Sequence, residues 1–238
     1  MLRNSFLMML MGLLWLSVGV DAQLIKEAQK LIGGSGNSFT ESEAVQGIRE
    51  ALINGTGKGV DIVSLKDGYF GNPQIKIPFP DDAKMVESRL RSMGMGKEVD
   101  NAILSINRAA EDAAREAKPI FVSAITNMSI TDAIGIVKGP DDAATGYLRK
   151  TTTPDLRTKF KPVIKSSLDK VQATRYWTDL INTYNKIPFI QKVNPDLAAF
   201  VTTRAIDGLF VMIAKEEKQI RKDPVARTSD ILKKVFAN

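Results

Sequence analysis

The feature that most constrains the fold is a regular apolar pattern in the stretch EVDNAILSINRAAEDAAREAKPIFVSAITNM, residues 98–128. Apolar and small residues alternate there at spacings of four and three, which places them along one side of a helix. We call this set the seam, and it consists of Val99, Ile103, Ile106, Ala110, Ala113, Ala117, Ile120 and Ala124. Because alanine is small, another helix can approach the seam closely. We therefore predict a buried central helix that Pro119 kinks or splits in two, since proline lacks the backbone donor.

The flanking segments predict further helices and one non-helical excursion. Turn signals, together with Pro78 and Pro80, predict an extended or hairpin excursion near residues 68–80. After the seam we predict separate helices in PDDAATGYLRK and in DLRTKFKPVIKSSLDKVQA, and then one long helix that begins after Asn194-Pro195-Asp196. The chain contains no internal repeat and no low-complexity linker. The simplest assignment is an all-α fold, with a single multi-helix domain over residues 23–238.

The first residues have the layout of a secretory signal peptide. Arg3 precedes an apolar run from Phe6 to Val20, and small residues flank Asp21, so we predict a signal peptide over residues 1–22, cleaved after Ala22. A transmembrane anchor is the alternative, but the run is short for a bilayer that needs about 20 apolar residues. We expect no later stretch to be apolar enough to span a membrane. The mature protein is then expected to be periplasmic or secreted.

The chain contains no cysteine and no histidine. These absences exclude Cys-His and Ser-His-Asp nucleophile systems and the zinc or copper sites that use those residues. We predict no catalytic residue, no metal site and no cofactor. The net charge of +6 is spread along the chain and is not gathered in a recognition helix, so we expect no nucleic-acid partner.

The stretch EEKQIRKDPVARTSDILKKVF places one carboxylate on an apolar helix face. A rotation of about 100° per residue defines that face, and its apolar members are Ile206, Leu209, Phe210, Ile213 and Ile220. Glu217 lies among them and needs a partner if it is buried. Arg221 at i+4, Arg227 beyond the Asp-Pro turn, and Arg108 are the candidates. Glu217 is then either an acid in a ligand pocket or part of an ion-paired clasp that closes the fold, and we favour the clasp.

Aromatic and amide side chains near the excursion are candidates for ligand contact. Tyr69 and Phe70 stand between two glycines, where they either form the lip of an apolar pocket or turn into the core. Asn107 lies near the seam and contacts either a ligand or another helix.

Charged residues beside the seam predict a solvated helix face. Arg108 and Asp112 stand four residues apart, as do Glu111 and Arg115, and such pairs contribute a few tenths of a kcal/mol each. The full set of candidate ligand-binding residues is Tyr69, Phe70, Asn107, Arg108, Glu217, Arg221 and Arg227.

Several blocks of the sequence together resemble one bacterial family. They are DGYFGNPQIKIPFP, NRAAEDAAREAKPIF, ITDAIGIVKGPDDAATGYLR and AIDGLFVMIAKEEKQIRKDPVARTSDILKKVF. Over nearly the whole mature chain they resemble the family known as domain of unknown function four-one-nine-seven, found mostly in Gram-negative bacteria. The resemblance implies an exported, mainly helical protein, and it brings no reaction, substrate or catalytic residue.

Three functions remain open, in decreasing order of preference. The first is a non-enzymatic protein that binds a lipid-like or other small hydrophobic ligand in a cavity between helices, as a monomer or a homodimer. The second is a structural or protein-interaction module of the cell envelope, which would expose an apolar patch. The third is a hydrolase of envelope sugars, which requires two carboxylates about 5 to 9 Å apart across a cleft.

Overall fold

The computed structural model describes residues 41–186, 188–189, 192–194 and 196–222, and the statements on structure below refer to these residues. The predicted signal peptide, Arg227 and the Asp-Pro turn lie outside them. The described chain is mostly helical and contains no strand, which confirms the predicted all-α fold.

The α-helices follow one another with short connections, apart from the excursion. They are α1 (Glu41–Ser64), α2 (Lys84–Ser92), α3 (Gly96–Ala114), α4 (Ala117–Thr126), α5 (Ile130–Lys138), α6 (Ala143–Lys170), α7 (Ala173–Tyr184) and α8 (Leu197–Lys222), with a short 3-10 turn at Asp81–Ala83 before α2. α8 packs against α6, α1 and α3, and α3 also packs against α6. These four helices therefore enclose the main apolar core.

The seam runs along α3 and α4. Its central alanines and Ile106 are fully buried, and its last two members are half-buried. The helix breaks between Ala114 and Ala117, so Pro119 stands in the first turn of α4. A proline is tolerated there because the first N–H groups of a helix have no intrahelical partner. The predicted split of the seam helix is confirmed.

The excursion between α1 and α2, residues 65–80, consists of turns followed by extended chain and forms no hairpin. Ile75, Ile77 and Phe79 alternate along this extended chain, and all three are buried in the core. Asn107 of α3 holds the middle of this extended chain: its Oδ1 accepts the N–H of Ile77 at 2.9 Å, and its Nδ2 donates to the carbonyl of Ile77 at 2.8 Å. One side-chain amide thus satisfies both backbone groups of Ile77, as a neighbouring strand would.

The prediction of two separate helices after residue 140 is wrong. α6 is continuous over Ala143–Lys170, with Pro154 and Pro162 inside it. Both prolines are exposed, and the buried positions recur every four residues on another side, at Ala144, Leu148, Thr152, Leu156, Phe160, Ile164 and Leu168. An internal proline costs about 3 kcal/mol, whereas each large apolar side chain contributes about 1.5–3 kcal/mol when fully buried. Burial of this stripe therefore outweighs the two prolines.

The apolar character of α8 requires a second correction. By length and composition alone Leu197–Lys222 is able to cross a membrane, whereas we expected no such stretch after the signal peptide. Most of its most apolar window is buried in the fold, and Ile206, Leu209, Phe210 and Ile213 face the core as predicted. The core helix of a globular domain passes the same composition test, so composition alone does not distinguish the two.

Two glycines of α1 allow α8 to approach closely. A Cβ atom at Gly55 would lie 3.0 Å from Cδ1 of Ile220, and one at Gly59 would lie 3.3 Å from Cγ1 of Ile213. Glycine lowers helix stability by about 1 kcal/mol relative to alanine. Here that loss accompanies a close helix–helix contact, and α1 continues through both positions.

A third close approach lies between α8 and the excursion, at Gly208. A Cβ atom there would lie 2.8 Å from Cε1 of Tyr69 and 3.1 Å from Cβ of Ile75. The Tyr69 ring has little freedom to move, because it is fully buried and its hydroxyl donates to the carbonyl of Ala205 at 2.6 Å.

We expect Gly208→Ala to lower the free energy of unfolding by about 1–3 kcal/mol, the usual cost of overpacking a core. The matched control is Gly146→Ala in α6, where nothing lies within 4 Å of the added methyl group. The control should be neutral or stabilising by up to about 1 kcal/mol, because alanine favours the helix. Urea denaturation followed by circular dichroism measures both variants, and equal effects would contradict the packing argument.

Candidate functional site

A buried carboxylate, Glu111 of α3, holds the first turn of the excursion. Its Oε1 accepts the backbone N–H groups of Tyr69 at 3.1 Å and Phe70 at 3.2 Å, and its Oε2 accepts from Arg108 at 2.6 Å. The Glu111 side chain is only 5% exposed. A carboxylate buried to this degree requires such donors, because leaving it unpaired would cost several kcal/mol.

These contacts correct the prediction of a solvated face beside the seam. Arg108 turns to Glu111 and to Asp67, whose carboxylate lies 2.7 Å from the guanidinium, and not to Asp112. Arg115 lies 4.0 Å from Asp112, not beside Glu111. Glu111 turns inward because two backbone N–H groups of the excursion need an acceptor. The spacing of residues along α3 does not predict this contact.

A second buried carboxylate, Glu217 of α8, holds the start of α6. Its oxygens accept the N–H groups of Ala144 at 2.9 Å and Thr145 at 2.8 Å, and the Thr145 hydroxyl at 2.7 Å. These N–H groups belong to the first turn of α6, which has no intrahelical acceptor for them, and the positive end of the helix dipole favours a carboxylate there.

Arg221 completes this second cluster, which we call the Glu217 clasp. Its guanidinium lies 2.8 Å from Glu217 and also donates to the carbonyl of Ile136 in α5 at 2.8 Å. The clasp therefore joins α5, α6 and α8. Of the partners considered for Glu217, Arg221 is the one in contact; Arg108 pairs with Glu111 instead, and Arg227 lies outside the described residues.

The space beside the Glu217 clasp is small. It measures about 30 Å³ and is lined mainly by apolar side chains of α1, α5, α6 and α8. A space of this size has room for about one water molecule and not for a ligand. The arrangement therefore favours the interpretation of Glu217 as a structural clasp over that of an acid in a ligand pocket.

The exposed side of the excursion forms a larger groove with α2 and α3, which we call the Phe70 groove. Its volume is about 730 Å³, and it is lined by Phe70, Pro73, Lys76, Pro78, Arg91, Asp100 and Ile103. Nζ of Lys76 lies 4.1 Å from the centroid of the Phe70 ring, and the guanidinium carbon of Arg108 lies 5.8 Å from it. Both are within the range of cation–π attraction.

The cations at the Phe70 groove differ in their partners. Arg91 pairs with Glu87 and Asp100, each at 2.9 Å. Lys76 is exposed and forms no ion pair with any residue that the structure describes. Lys76 is thus the cation at this groove whose charge is not already balanced.

The structure brings four of the candidate binding residues together. Tyr69 turns into the core, where burial and then the charge of Glu111 raise the pKa of its hydroxyl, so it stays protonated. Phe70 is half-buried and forms one wall of the groove. Asn107 and Arg108 support the excursion from behind. Phe70 therefore forms the lip of the groove, and Tyr69 turns into the core.

Sequence reasoning missed most of the groove lining, including Lys76, Arg91 and Asp100. Lys76 lies in the excursion, Arg91 in α2 and Asp100 in α3. The signal in the sequence that could have indicated Lys76 was the pair of prolines on either side of it, Pro73 and Pro78, which keep that segment from forming a helix. Among the described residues, no group of three or more acidic side chains is placed to hold a metal ion.

In a comparison with protein-family models, residues 38–237 match a family described as "Protein of unknown function (DUF4197)". No curated protein and no solved structure matches the chain. The geometry of the chain's own residues is therefore the basis for assigning a function.

We expect Glu217→Ala to lower the free energy of unfolding by about 3–5 kcal/mol, because it removes the carboxylate that pairs with the largely buried Arg221 side chain and that accepts two N–H groups of α6. Glu217→Gln should cost less, since its carbonyl oxygen still accepts a hydrogen bond. The control is Glu216→Ala, a neighbouring glutamate that is half-buried and outside the clasp. Thermal and urea denaturation measure all three variants, and a Glu217→Ala protein as stable as the control would contradict the clasp.

Proposed function

The chain belongs to the DUF4197 family of proteins of unknown function, and we propose that it binds a small lipid-like ligand with an anionic head in the Phe70 groove. The observation that supports this proposal is an exposed lysine, Lys76, that lies against an aromatic wall and has no carboxylate partner in the described structure. The role is one of binding and not of catalysis.

The apolar part of the groove suits a hydrocarbon body. Phe70, Pro73, Pro78 and Ile103 contribute apolar surface from two sides. A volume of about 730 Å³ lies within the range of about 300–1,000 Å³ typical of small-molecule sites. Prolines at Pro73 and Pro78 stiffen the wall, and a stiff wall loses less conformational entropy when a ligand binds.

The charged part of the groove suits one anionic group. Arg91 is already neutralised by Glu87 and Asp100, so it adds little attraction for a further anion. Lys76 carries an unbalanced charge beside the Phe70 ring. A carboxylate or phosphate that replaces the water around Lys76 forms a charge-assisted hydrogen bond, which is about twice as strong as a neutral one.

We also propose that the protein is exported, and that residues 1–22 direct this export and are then removed. The support comes from the order of a charged residue, an apolar run and small residues at the N-terminus. An envelope location would place the Phe70 groove in a compartment bounded by lipid, where amphiphiles with anionic heads are abundant ligands.

We expect a fluorescent long-chain fatty acid to bind the wild-type protein, and Lys76→Glu to weaken that binding about tenfold or more, a loss of at least about 1.4 kcal/mol. Phe70→Ala should weaken it similarly by removing apolar wall. Binding of the matching uncharged fatty alcohol should fall with Phe70→Ala but hardly with Lys76→Glu.

The control is Lys66→Glu, which makes the same charge change at an exposed lysine outside the groove lining. Fluorescence titration at several salt concentrations gives the dissociation constants. The proposal is wrong if the wild-type protein binds neither probe, or if Lys66→Glu and Lys76→Glu weaken fatty-acid binding equally.

Expression of the full chain in a Gram-negative host should yield a periplasmic protein whose first residue is Gln23, as measured by intact-mass spectrometry of the periplasmic extract. Ala22→Arg should slow cleavage, because signal peptidases require a small residue before the cut. Arg3→Lys keeps the N-terminal charge and serves as the control. Full-length protein retained in the cytoplasmic fraction would refute the export proposal.

A further inference from the structure

We propose that a second groove, between α4 and α6, binds a hydroxyl-rich ligand of the carbohydrate class. The groove has a volume of about 570 Å³. It is separate from the Phe70 groove and shares no lining residue with it. Each of its walls follows one helix, so the residues that line it can be identified from the helical repeat.

The groove is long and narrow because its lining follows the helix repeat. On α6 the lining recurs about once per turn, from Tyr147 through Thr151 and Asp155 to Lys159. At a rise of 1.5 Å per residue this face is about 18 Å long. The facing wall follows α4, from Glu116 just before the helix to Asn127 just after it. A groove of this shape suits a linear chain of rings better than one compact molecule.

The polar groups of the α6 wall mainly accept hydrogen bonds. The Thr151 hydroxyl donates to the carbonyl of Tyr147 at 2.9 Å, and the Thr158 hydroxyl donates to the carbonyl of Pro154 at 3.0 Å. Each hydroxyl has a single proton, so its oxygen is left with lone pairs and acts as an acceptor. The carboxylate of Asp155 only accepts. A ligand with many O–H groups is complementary to this wall.

The charge of the groove is opposite to that of the protein as a whole. The chain carries a net charge of +6, but the charged residues that the structure places in the lining of this groove are Glu116, Asp155 and one cation, Lys159. Neither carboxylate is paired with a cation among the residues that the structure describes, and both are exposed. An anionic ligand is therefore disfavoured, and Lys159 offsets one of the two negative charges, so a cationic ligand meets only a small excess of negative charge. A neutral sugar chain is compatible with this weakly charged lining, and its hydroxyl groups complement the acceptors of the α6 wall.

Apolar surface lies between these polar groups. Tyr147 is half-buried, and burial raises the pKa of its hydroxyl, so the ring stays neutral. Pro119 and Ile120 face it from α4. Sugar rings present C–H faces as well as hydroxyl edges, and such faces pack against aromatic and apolar side chains while the edges bind the polar groups.

A sugar hydrolase would need two carboxylates across a cleft. Its general acid lies in a desolvated site, whereas Glu116 and Asp155 are both exposed. The groove is therefore assigned to binding, without cleavage of the ligand.

The test uses the full mature protein and two neutral linear probes, a tetramer of glucose and a tetramer of N-acetylglucosamine. Saturation-transfer NMR and calorimetry should show binding of at least one probe. Asp155→Asn and Thr158→Val should each weaken it about three- to tenfold, the loss of one hydrogen bond. Both positions are exposed, so the variants should fold.

The matched control is Asp142→Asn, which makes the same change at an exposed aspartate just before α6 and outside the groove lining. A saturating fatty acid should leave sugar binding unchanged if the Phe70 groove binds lipid; if it does not, the Asp155→Asn and Thr158→Val variants alone place the sugar in this second groove. The inference is overturned if neither sugar binds, if Asp155→Asn and Thr158→Val bind as tightly as the control, or if an oligolysine peptide binds here in place of both sugars.

Discussion

Two buried carboxylates attach parts of this protein that helix packing alone would leave loose. Glu111 accepts the N–H groups of two consecutive residues of the excursion, and Glu217 accepts those of two consecutive residues in the first turn of α6. In each case an arginine of the same helix binds the carboxylate, Arg108 at i−3 and Arg221 at i+4. The chain has no cysteine, so these hydrogen-bonded ion pairs fix the two segments without any disulfide. Removing one partner of either ion pair would leave the other charge buried without it. The positions of the excursion and of the α5–α6 junction therefore depend on these two ion pairs.

The fold could be predicted from the sequence where local helix signals and the burial of side chains in the core favour the same structure. The seam has a strict helical period and a proline where one helix ends, so both its burial and its division into α3 and α4 follow from the sequence. α6 was not predictable in the same way, because Pro154 and Pro162 argue locally against a helix. Only the core shows that a stripe with a period of four lies on another side of α6 and that its burial outweighs the prolines. The membrane-like composition of α8 has the same cause, since a helix surrounded by other helices is apolar for most of its circumference.

The candidate site was predictable in part, for a related reason. Glu217 and Arg221 are neighbours on one helix, so their pairing follows from i, i+4 spacing. Glu111 obeys the same spacing rule toward Arg115, yet its partners are backbone N–H groups some forty residues earlier in the chain. Phe70 was found because an aromatic residue between glycines is conspicuous, whereas Lys76 is a single lysine among many. What marks Lys76 is its contact with the Phe70 ring, at 4.1 Å from Nζ to the ring centroid, and that is a property of three-dimensional neighbours.

Arg108 joins the structural and the proposed functional roles of the excursion. Its guanidinium binds the buried Glu111 and the exposed Asp67, and it also lies near the outer face of the Phe70 ring. Any ligand that packs on Phe70 therefore packs beside a side chain that holds the excursion to α3. If the Phe70 groove binds a ligand as proposed, its binding free energy is coupled to the free energy that keeps the excursion in place, and the coupling acts equally in both directions. A ligand of this groove would stabilise the excursion. A substitution that loosens the Glu111 contacts would lower the affinity for that ligand, even though Glu111 is not part of the groove lining.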